Sequence, residues 1–375
     1  MKDIKVIIDS PFRNSNLIFA SGFYCLDPFV FIDDGNQKTA FLPSTEIEKA
    51  KKKSKIDQFF NLNFELERLK EERKYPFLKS SLVLEWLITN EITEIFVPYN
   101  FPIIEADNLR NYGIRVYPQE DPFYKQRVSK TNEEIDFIRR NSKKNVAVMN
   151  DVKNLLLESD ITNDKKLKYK GEILTAEYLQ NFIFKKFIDN ELFSDTVITA
   201  IGNQGCDPHE YGRGEVYANT SIIVDIYPRS RENFYYTDMT RTFCKGKPSD
   251  DLKTIYDAVV EAQKLVLDKI YANQNGRDIH KVVQSFFENK GFNTGIINCV
   301  LQGFFHGTGH GLGLDCHEMP YISMNGQQLP ENSVVSAEPG LYYLDLGAVR
   351  IEDLVLVTKN GIENLTNYEK KLELE

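Results

Sequence analysis

The sequence predicts two domains of mixed helix and strand: a small α/β domain at residues 1–125 and a larger α+β domain at residues 126–375. A chain of 375 residues exceeds one average domain, and an apolar fraction of 42% is ample for packed cores. Short strands and helices alternate through the first third of the chain, whereas the strands that follow are apolar and carry isolated acidic residues.

The first domain is predicted from segments rich in Ile, Val and Phe that are broken by Pro, Gly and Asn. These segments predict strands at 3–8, 17–22, 28–33, 39–43, 95–98 and 114–117. Helical or amphipathic segments are expected at 46–55, 81–89 and 103–111. No phosphate-binding loop, dinucleotide fingerprint or nucleophile elbow occurs here, so we expect no chemistry from this domain.

The second domain opens with a capping box, in which Thr131 and Glu134 can satisfy free backbone amides at a helix start. Apolar residues then recur at helical period as far as Leu156, which predicts one long helix. Apolar strands that carry acidic residues follow this helix.

Two of these acidic residues are predicted on neighbouring strands. Asp225 lies on the predicted strand Ser221–Tyr227, and Asp238 lies on the predicted strand Tyr235–Cys244. If the strands pair antiparallel, both carboxylates point into the same space, and buried acids need a partner or a metal ion. Arg241 faces away from Asp238 by strand parity, so we do not expect an ion pair between them.

Two further acidic residues lie near the C-terminus. Glu338 comes just before a Pro-Gly turn, and Glu352 lies on a predicted strand over 348–358. Arg350 shares a strand face with Glu352 and is expected to orient that carboxylate. Asp353 points the other way and is expected to be structural.

A glycine-rich stretch at 304–318 holds three of the five histidines, His306, His310 and His317. Glycines let the backbone turn sharply or approach a ligand closely. Combined with four acidic residues, the histidines favour a metal site with an open substrate face. A glycine-rich turn with solvated histidines is the structural alternative.

The donor set indicates the kind of metal site. Four carboxylates and one imidazole are more than a catalytic zinc site with three protein ligands needs. Such a set can bridge two divalent ions that share a water, and Mn²⁺, Co²⁺, Fe²⁺ and Zn²⁺ all suit it. Cys316 is a weaker candidate ligand, because its neighbours offer better donors.

Composition excludes several classes of partner. The formal net charge of −9 argues against nucleic acid and anionic membranes, which both favour a basic face. We find no signal peptide and no run of about eighteen apolar residues. Five scattered cysteines without a C-x-x-C motif are typical of a reducing compartment, so the expected location is cytoplasmic.

Five segments together resemble the pita-bread metallopeptidases, the family of methionine aminopeptidases, Xaa-Pro aminopeptidases and Xaa-Pro dipeptidases (prolidases). The segments are DPHEYGRG (207–214), IIVDIYP with YYTDMTRTF (222–243), HGTGHGLGLDCHE (306–318), SAEPGLYY (336–343) and VRIEDLVLVT (349–358). The resemblance implies a C-terminal pita-bread (creatinase/aminopeptidase) fold that follows a creatinase-like N-terminal domain.

The resemblance also implies two divalent metal ions per subunit, with Mn²⁺ expected first and Co²⁺, Zn²⁺ or Fe²⁺ as alternatives. The implied metal ligands are Asp225, Asp238, His310, Glu338 and Glu352. Asp238 and Glu352 would bridge both ions, and Glu338 would also shuttle the proton of a bridging hydroxide. The implied substrate-side residues are His209, His306 and His317. Arg350 would contact a metal ligand without binding the metal itself.

The implied function is hydrolysis of an Xaa-Pro bond, at the N-terminus of peptides or in dipeptides, by a homodimer. The separate front domain and the HGTGH spacing favour the proline-specific branch, and all five implied ligands are present. Two alternatives stay open. One is the same fold acting on another substrate, as methionine aminopeptidases or creatinases do, and the other is a non-catalytic peptide-binding module.

Two features depart from the family pattern. The family usually has Asp-x-Gly where this chain has Asp225-Ile226-Tyr227, and the loop to Asp238 is longer. These departures bear on substrate length and specificity. His280 lies outside every motif and is expected at the surface, so His280→Ala is expected to leave metal binding and activity intact.

Overall fold

A computed structural model describes residues 3–375, and the chain divides into two compact units between Arg127 and Val128. The strands of the first unit are β1 (Lys5–Asp9), β2 (Phe29–Asp33), β3 (Lys38–Leu42), β4 (Gln58–Asn61), β5 (Glu94–Pro98) and β6 (Arg115–Gln119). Its helices are α1 (Ser15–Ser21), α2 (Ile47–Lys53), α3 (Leu62–Glu72), α4 (Lys79–Thr89) and α5 (Ile103–Asn111).

The first unit is built on one mixed sheet with the strand order β4-β3-β2-β1-β5-β6. The central strand β1 pairs antiparallel with β2 and parallel with β5. Its side chains alternate, so Val6 and Ile8 enter the core on one face and Ile7 enters the core on the other. Both faces of the sheet are therefore buried, and the α/β class predicted for this part of the chain is confirmed.

One predicted strand in this unit is wrong, because residues 17–22 lie in and just after helix α1. The side chain of Asn14 accepts a hydrogen bond from the amide of Leu17 and caps the helix start. Gly22 ends the helix with a φ of 62°, a conformation that glycine adopts without strain. The Asn and Gly at the two ends were the sequence signals for a short helix.

The second unit contains the helices α6 (Asn132–Leu157), α7 (Ala176–Asp189), α8 (Asp250–Lys269) and α9 (Gly276–Asn289). Its first strands are β7 (Asp160–Ile161), β8 (Leu167–Tyr169), β9 (Glu172–Ile173), β10 (Leu192–Phe193), β11 (Ile198–Ile201), β12 (Ile222–Ile226), β13 (Arg229–Ser230) and β14 (Met239–Lys245). The later strands are β15 (Gly295–Ile297), β16 (Val300–Gln302), β17 (Gly309–Gly311), β18 (Glu318–Ile322), β19 (Val334–Ala337), β20 (Gly340–Tyr343), β21 (Gly347–Arg350), β22 (Asp353–Thr358), β23 (Gly361–Asn364) and β24 (Glu373–Leu374). Among the described residues, no helix is long and apolar enough to cross a membrane.

Two sheets carry the second unit, one with the order β11-β12-β14-β24 and one with the order β18-β17-β19-β22-β23. Helices α6 and α7 share a core with β12 and β14. Helices α8 and α9 share a second core with β19 and β22. The predicted capping box of α6 is present, with Thr131 and Glu134 each bonding the other's backbone amide. The α+β prediction for this part of the chain is confirmed.

Two predicted strands have different bounds in the structure. The strand predicted at Tyr235–Cys244 begins only at Met239, because the amide of Tyr236 donates to Gly313 O instead of to β12. The single strand predicted over 348–358 is two strands, β21 and β22, in different sheets. Glu352 lies in the break between them, where its amide donates to Thr240 O at 3.0 Å.

Asp353 is structural, as predicted. It lies 2.7 Å from the guanidinium of Arg241, and both side chains are 1% exposed. Arg241 also donates to backbone carbonyls near the C-terminus, including Tyr368 O at 2.9 Å. A buried charge that is paired and hydrogen-bonded in this way fixes where the C-terminal segment packs.

The prediction that His280 lies at the surface is wrong, because this residue is only 4% exposed. It lies on the inner face of α9, where its ring packs against Phe304 with centroids 5.4 Å apart. Its Nδ1 lies 2.8 Å from Thr308 Oγ1, inside the HGTGH segment. Burial lowers the pKa of His280, so the ring is neutral. The amphipathic pattern of α9 placed His280 one residue from Ile279, on the buried face.

We now expect His280→Ala to lower the free energy of unfolding by about 2–4 kcal/mol, because it leaves a cavity and a buried hydroxyl without its partner. Urea unfolding followed by circular dichroism measures this. Lys281→Ala, an exposed change on the same helix, is the matched control and should stay within about 0.5 kcal/mol of the wild type. Equal stability of the two variants would contradict the buried placement.

Candidate metal centre

A cavity of about 830 Å³ lies within the second unit. All nine site residues predicted from the sequence line it, together with Ile198, Tyr227, Phe305, Cys316 and Tyr321. The nine are Asp225, Asp238, Glu338, Glu352, His209, His306, His310, His317 and Arg350. The structure thus brings together residues that are up to 143 positions apart in the chain, from 209 to 352.

Strand pairing places the first two acidic residues. Strands β12 and β14 are antiparallel neighbours, and Asp225 is opposite Thr240 in their register. The alternate residues of β12, such as Val224, enter the core, so Asp225 points to the opposite face. Asp238, two residues before Thr240, lines the same cavity. Thr240 Oγ1 also donates to Glu352 at 2.9 Å and so links a third carboxylate to this face.

The glycines around His310 are required by close strand packing. Strand β17 lies between β18 and β19, and a Cβ atom at Gly309 would lie 2.0 Å from the carbonyl oxygen of Ser336. A Cβ atom at Gly311 would lie 2.5 Å from the carbonyl oxygen of Glu318. His310 itself is buried on this strand. The alternative of a glycine-rich turn with solvated histidines is therefore wrong for His310.

The ring of His310 faces the carboxylates. Its Nδ1 donates to Gly311 O at 3.0 Å, which leaves the lone pair of Nε2 available to a cation. This Nε2 lies 3.3 Å from Glu338 Oε1, 3.8 Å from Asp238 Oδ2 and 3.9 Å from Glu352 Oε1. The ligand atoms of Asp238, His310 and Glu352 all lie within 4.8 Å of one another. This spacing is suited to donors around one metal ion.

The carboxylates lack enough partners within the protein. Asp225 Oδ1, Asp238 Oδ1 and Glu352 Oε1 are buried and have no hydrogen-bond partner among residues 3–375. Leaving a charged group unsatisfied in the interior costs more than the roughly 1–3 kcal/mol of a neutral one. Divalent cations would bind these oxygens and remove that cost. The residues present therefore fit a metal site that is rich in oxygen donors.

The pKa values of these carboxyl groups also indicate that the site has too little positive charge. Burial, together with neighbouring carboxylates, raises the pKa of Asp238 and Glu352. Burial also raises the pKa of Glu338 to about 7, although the nearby Arg350 opposes this shift. A bound divalent cation would favour the charged form of each carboxylate and reverse these shifts.

Arg350 has a different partner from the one predicted. Its Nη2 donates to Asp225 Oδ2 at 2.6 Å, and its Nη1 donates to the hydroxyl of Tyr342 at 3.1 Å. The expected contact with Glu352 is wrong, because the chain leaves its strand between Arg350 and Glu352 and the two-residue alternation stops there. Sequence analysis did not assign a role to Tyr342, although it lies in the SAEPGLYY segment.

The three other histidines of the cavity differ in their surroundings. His306 Nδ1 donates to Gly307 O at 2.7 Å, so its Nε2 must accept the proton of Tyr342 OH at 2.8 Å. Burial, with a contribution from Arg350, lowers the pKa of His306 to about 3. His306 is therefore neutral and has no N–H directed into the cavity. His209 and His317 are exposed at the cavity opening, and the ring of His317 lies 4.3 Å from that of His310.

The sequence model of metallopeptidase family M24 matches residues 137–359. The chain belongs to this family. The matched range includes all nine cavity residues named above, and it confirms the resemblance to the pita-bread metallopeptidases.

Individual relatives extend over nearly the whole chain. The chain is 29% identical to an Xaa-Pro dipeptidase of Pyrococcus furiosus over 362 residues, which are 95% of this chain and 92% of that protein. It is 30% identical to an uncharacterized peptidase of Staphylococcus haemolyticus over 326 residues, 80% of this chain and 83% of the relative.

Solved structures show the same fold. An Xaa-Pro dipeptidase from Bacillus anthracis superposes with a TM-score of 0.81 at 20% identity, covering 99% of this chain and 95% of the other. The prolidase from Pyrococcus furiosus superposes with a TM-score of 0.77 at 23% identity, covering 98% and 97%. The pita-bread fold preceded by a smaller domain is thus confirmed.

Lys130, which received no role in the sequence analysis, and Cys316, which was a weaker candidate ligand there, both contact residues of this M24 site. Lys130 Nζ donates to Glu318 Oε1 at 2.6 Å, and both side chains are nearly buried. This contact braces the loop that carries Cys316 and His317. Cys316 Sγ donates to Asp238 Oδ2 at 3.5 Å, and burial raises the pKa of the thiol well above its usual range. Cys316 is therefore a protonated neighbour of the carboxylates in this arrangement.

Proposed function

We propose that the protein is a binuclear metallopeptidase that hydrolyses Xaa-Pro bonds, at the N-terminus of peptides or in dipeptides. One observation carries the metal part of this proposal: four carboxylates and the Nε2 of His310 line one cavity, and three of the carboxylate oxygens are buried without a partner in the described part of the chain. The Xaa-Pro dipeptidases among the relatives support the substrate class.

The proposed division of ligands is the one that the family resemblance implies. Asp225 would hold one ion, and His310 and Glu338 would hold the other. Asp238 and Glu352 would bind both ions, because each has one oxygen near His310 Nε2 and a second carboxylate oxygen. When bound, the ions supply an activated water and polarise the scissile carbonyl. Mn²⁺ is the proposed ion, and a cytosolic homodimer is the proposed form.

Glu338 is the proposed proton carrier. Its carboxyl lies 3.3 Å from His310 Nε2 and accepts a hydrogen bond from Ser336 Oγ at 3.1 Å, which fixes its orientation. A carboxylate in this position can take a proton and return it, as a general acid–base group does. It would take the proton of the attacking water and deliver it to the prolyl nitrogen, which leaves as the C–N bond breaks.

The histidines are proposed to orient the substrate. His209 and His317, at the cavity opening, would donate hydrogen bonds to the scissile carbonyl and stabilise its developing charge. His306, with both ring nitrogens engaged, would contact the substrate through its neutral ring. Arg350 would hold Asp225 in place, and Tyr342 would hold His306 in place.

The first test of the ligand assignment is His310→Ala. We expect this variant to lose about one ion per chain and nearly all activity, because the imidazole is the only nitrogen donor in the proposed set. Elemental analysis after dialysis against Mn²⁺ measures the metal content. His280→Ala, which changes the one histidine that does not line the cavity, should retain both ions at temperatures where it is folded. Full metal content and turnover in His310→Ala would show that the ligand assignment is wrong.

The substrate class is tested with three peptides: an Ala-Pro dipeptide, an Ala-Pro-Ala tripeptide and a Met-Ala-Ser peptide, each with Mn²⁺-loaded protein. We expect hydrolysis of the two proline peptides only. The ratio of their kcat/KM values separates a dipeptidase from an aminopeptidase. Cleavage of Met-Ala-Ser at a comparable rate, or of no peptide despite two bound ions, would contradict the proposed substrate class.

A further inference from the structure

Tyr227 forms part of the cavity wall beside Asp225. In the antiparallel pair β11–β12, Ile198 is directly opposite Asp225, so both side chains point to one face. Tyr227 follows Asp225 by two residues and lines the cavity with both of them. The aromatic ring therefore extends the wall beyond the acidic cluster.

The ring of Tyr227 is held in place from two sides. Continuing the β11–β12 register places Thr196 opposite Tyr227, and the two hydroxyl oxygens lie 2.8 Å apart. Pro228 follows directly, and a residue before proline is restricted to extended backbone conformations. The side chain is half-buried. A ring fixed at both its hydroxyl and its backbone presents a rigid boundary to whatever enters the cavity.

The position of the scissile bond indicates which part of a substrate meets this ring. The scissile carbonyl of an Xaa-Pro substrate belongs to the first residue, and the proposed mechanism places this carbonyl beside the metal ligands. Asp225 is one of these ligands, and Tyr227 lines the same cavity two residues after it. The first residue of the substrate therefore lies next to Tyr227. This step rests on the proposed function.

We infer that Tyr227 is a specificity-determining residue that closes the subsite for the first residue of the substrate and favours small side chains there. The preferred substrates are then peptides in which Gly, Ala or Ser precedes proline. Large first residues such as Phe or Leu must displace a ring that Thr196 holds.

The test compares kcat/KM for Phe-Pro with kcat/KM for Ala-Pro. Of the variants Tyr227→Gly and Tyr227→Ala, the one that unfolds at the higher temperature is used. We expect the ratio to rise at least about tenfold in this variant. Tyr227→Phe keeps the ring volume and should keep the ratio within about threefold of the wild type. Tyr217→Ala removes an exposed tyrosine of the same unit that does not line the cavity, and it should also keep the wild-type ratio.

An unchanged ratio in Tyr227→Gly and Tyr227→Ala, with both peptides still hydrolysed, would overturn this inference and leave the proposed function standing. If the wild-type protein hydrolyses no Xaa-Pro peptide, the proposed function fails. The subsite is then judged by calorimetric binding of the same two dipeptides. Tighter binding of Ala-Pro than of Phe-Pro that disappears in Tyr227→Ala would support the inference, and equal binding by the wild type would overturn it.

Discussion

The structure of the second unit depends on a cluster of carboxylates that are buried with too little positive charge around them. Arg350 neutralises Asp225 in part, but one oxygen of each of Asp225, Asp238 and Glu352 has no hydrogen-bond partner among the residues that the structure describes. Burying such groups is costly unless they are protonated or compensated by a ligand. Divalent cations that bind here would therefore stabilise the folded state of this unit, because they would remove a cost that the chain alone retains.

The surrounding structure keeps these donors in position. Thr240 bonds Glu352 through both its carbonyl and its hydroxyl, and Ser336 links the amide of His310 to the carboxyl of Glu338. The glycines beside His310 allow three strands to approach closely, so that the histidine reaches the acids from a rigid element rather than a loop. Hydrogen bonds to the ligands and close strand packing thus reduce the freedom of each donor before any ion binds.

The features that were predicted correctly depend on residues that lie close together in the sequence. Strand alternation placed Asp225 and Asp238 on one face, and it placed Asp353 on the face opposite to Glu352. The capping box at Thr131 marked a helix start. The partner of Arg350 could not be predicted, because it depends on a break in the strand that only long-range pairing creates. Burial of His280 was missed because its position was judged by motif rather than by the apolar face of α9. Contacts made by Lys130 and Tyr342 join distant segments and leave no local signal.

A crystal structure of the Mn²⁺-loaded protein with anomalous scattering data would show whether the buried carboxylates bind metal. We expect two anomalous peaks per chain, both bonded to oxygens of Asp238 and Glu352. One of them should also be bonded to Asp225, and the other to His310 and Glu338. A cavity that stays free of metal at saturating Mn²⁺, or a single ion that does not contact these residues, would contradict the claim that the buried carboxylates are a metal site.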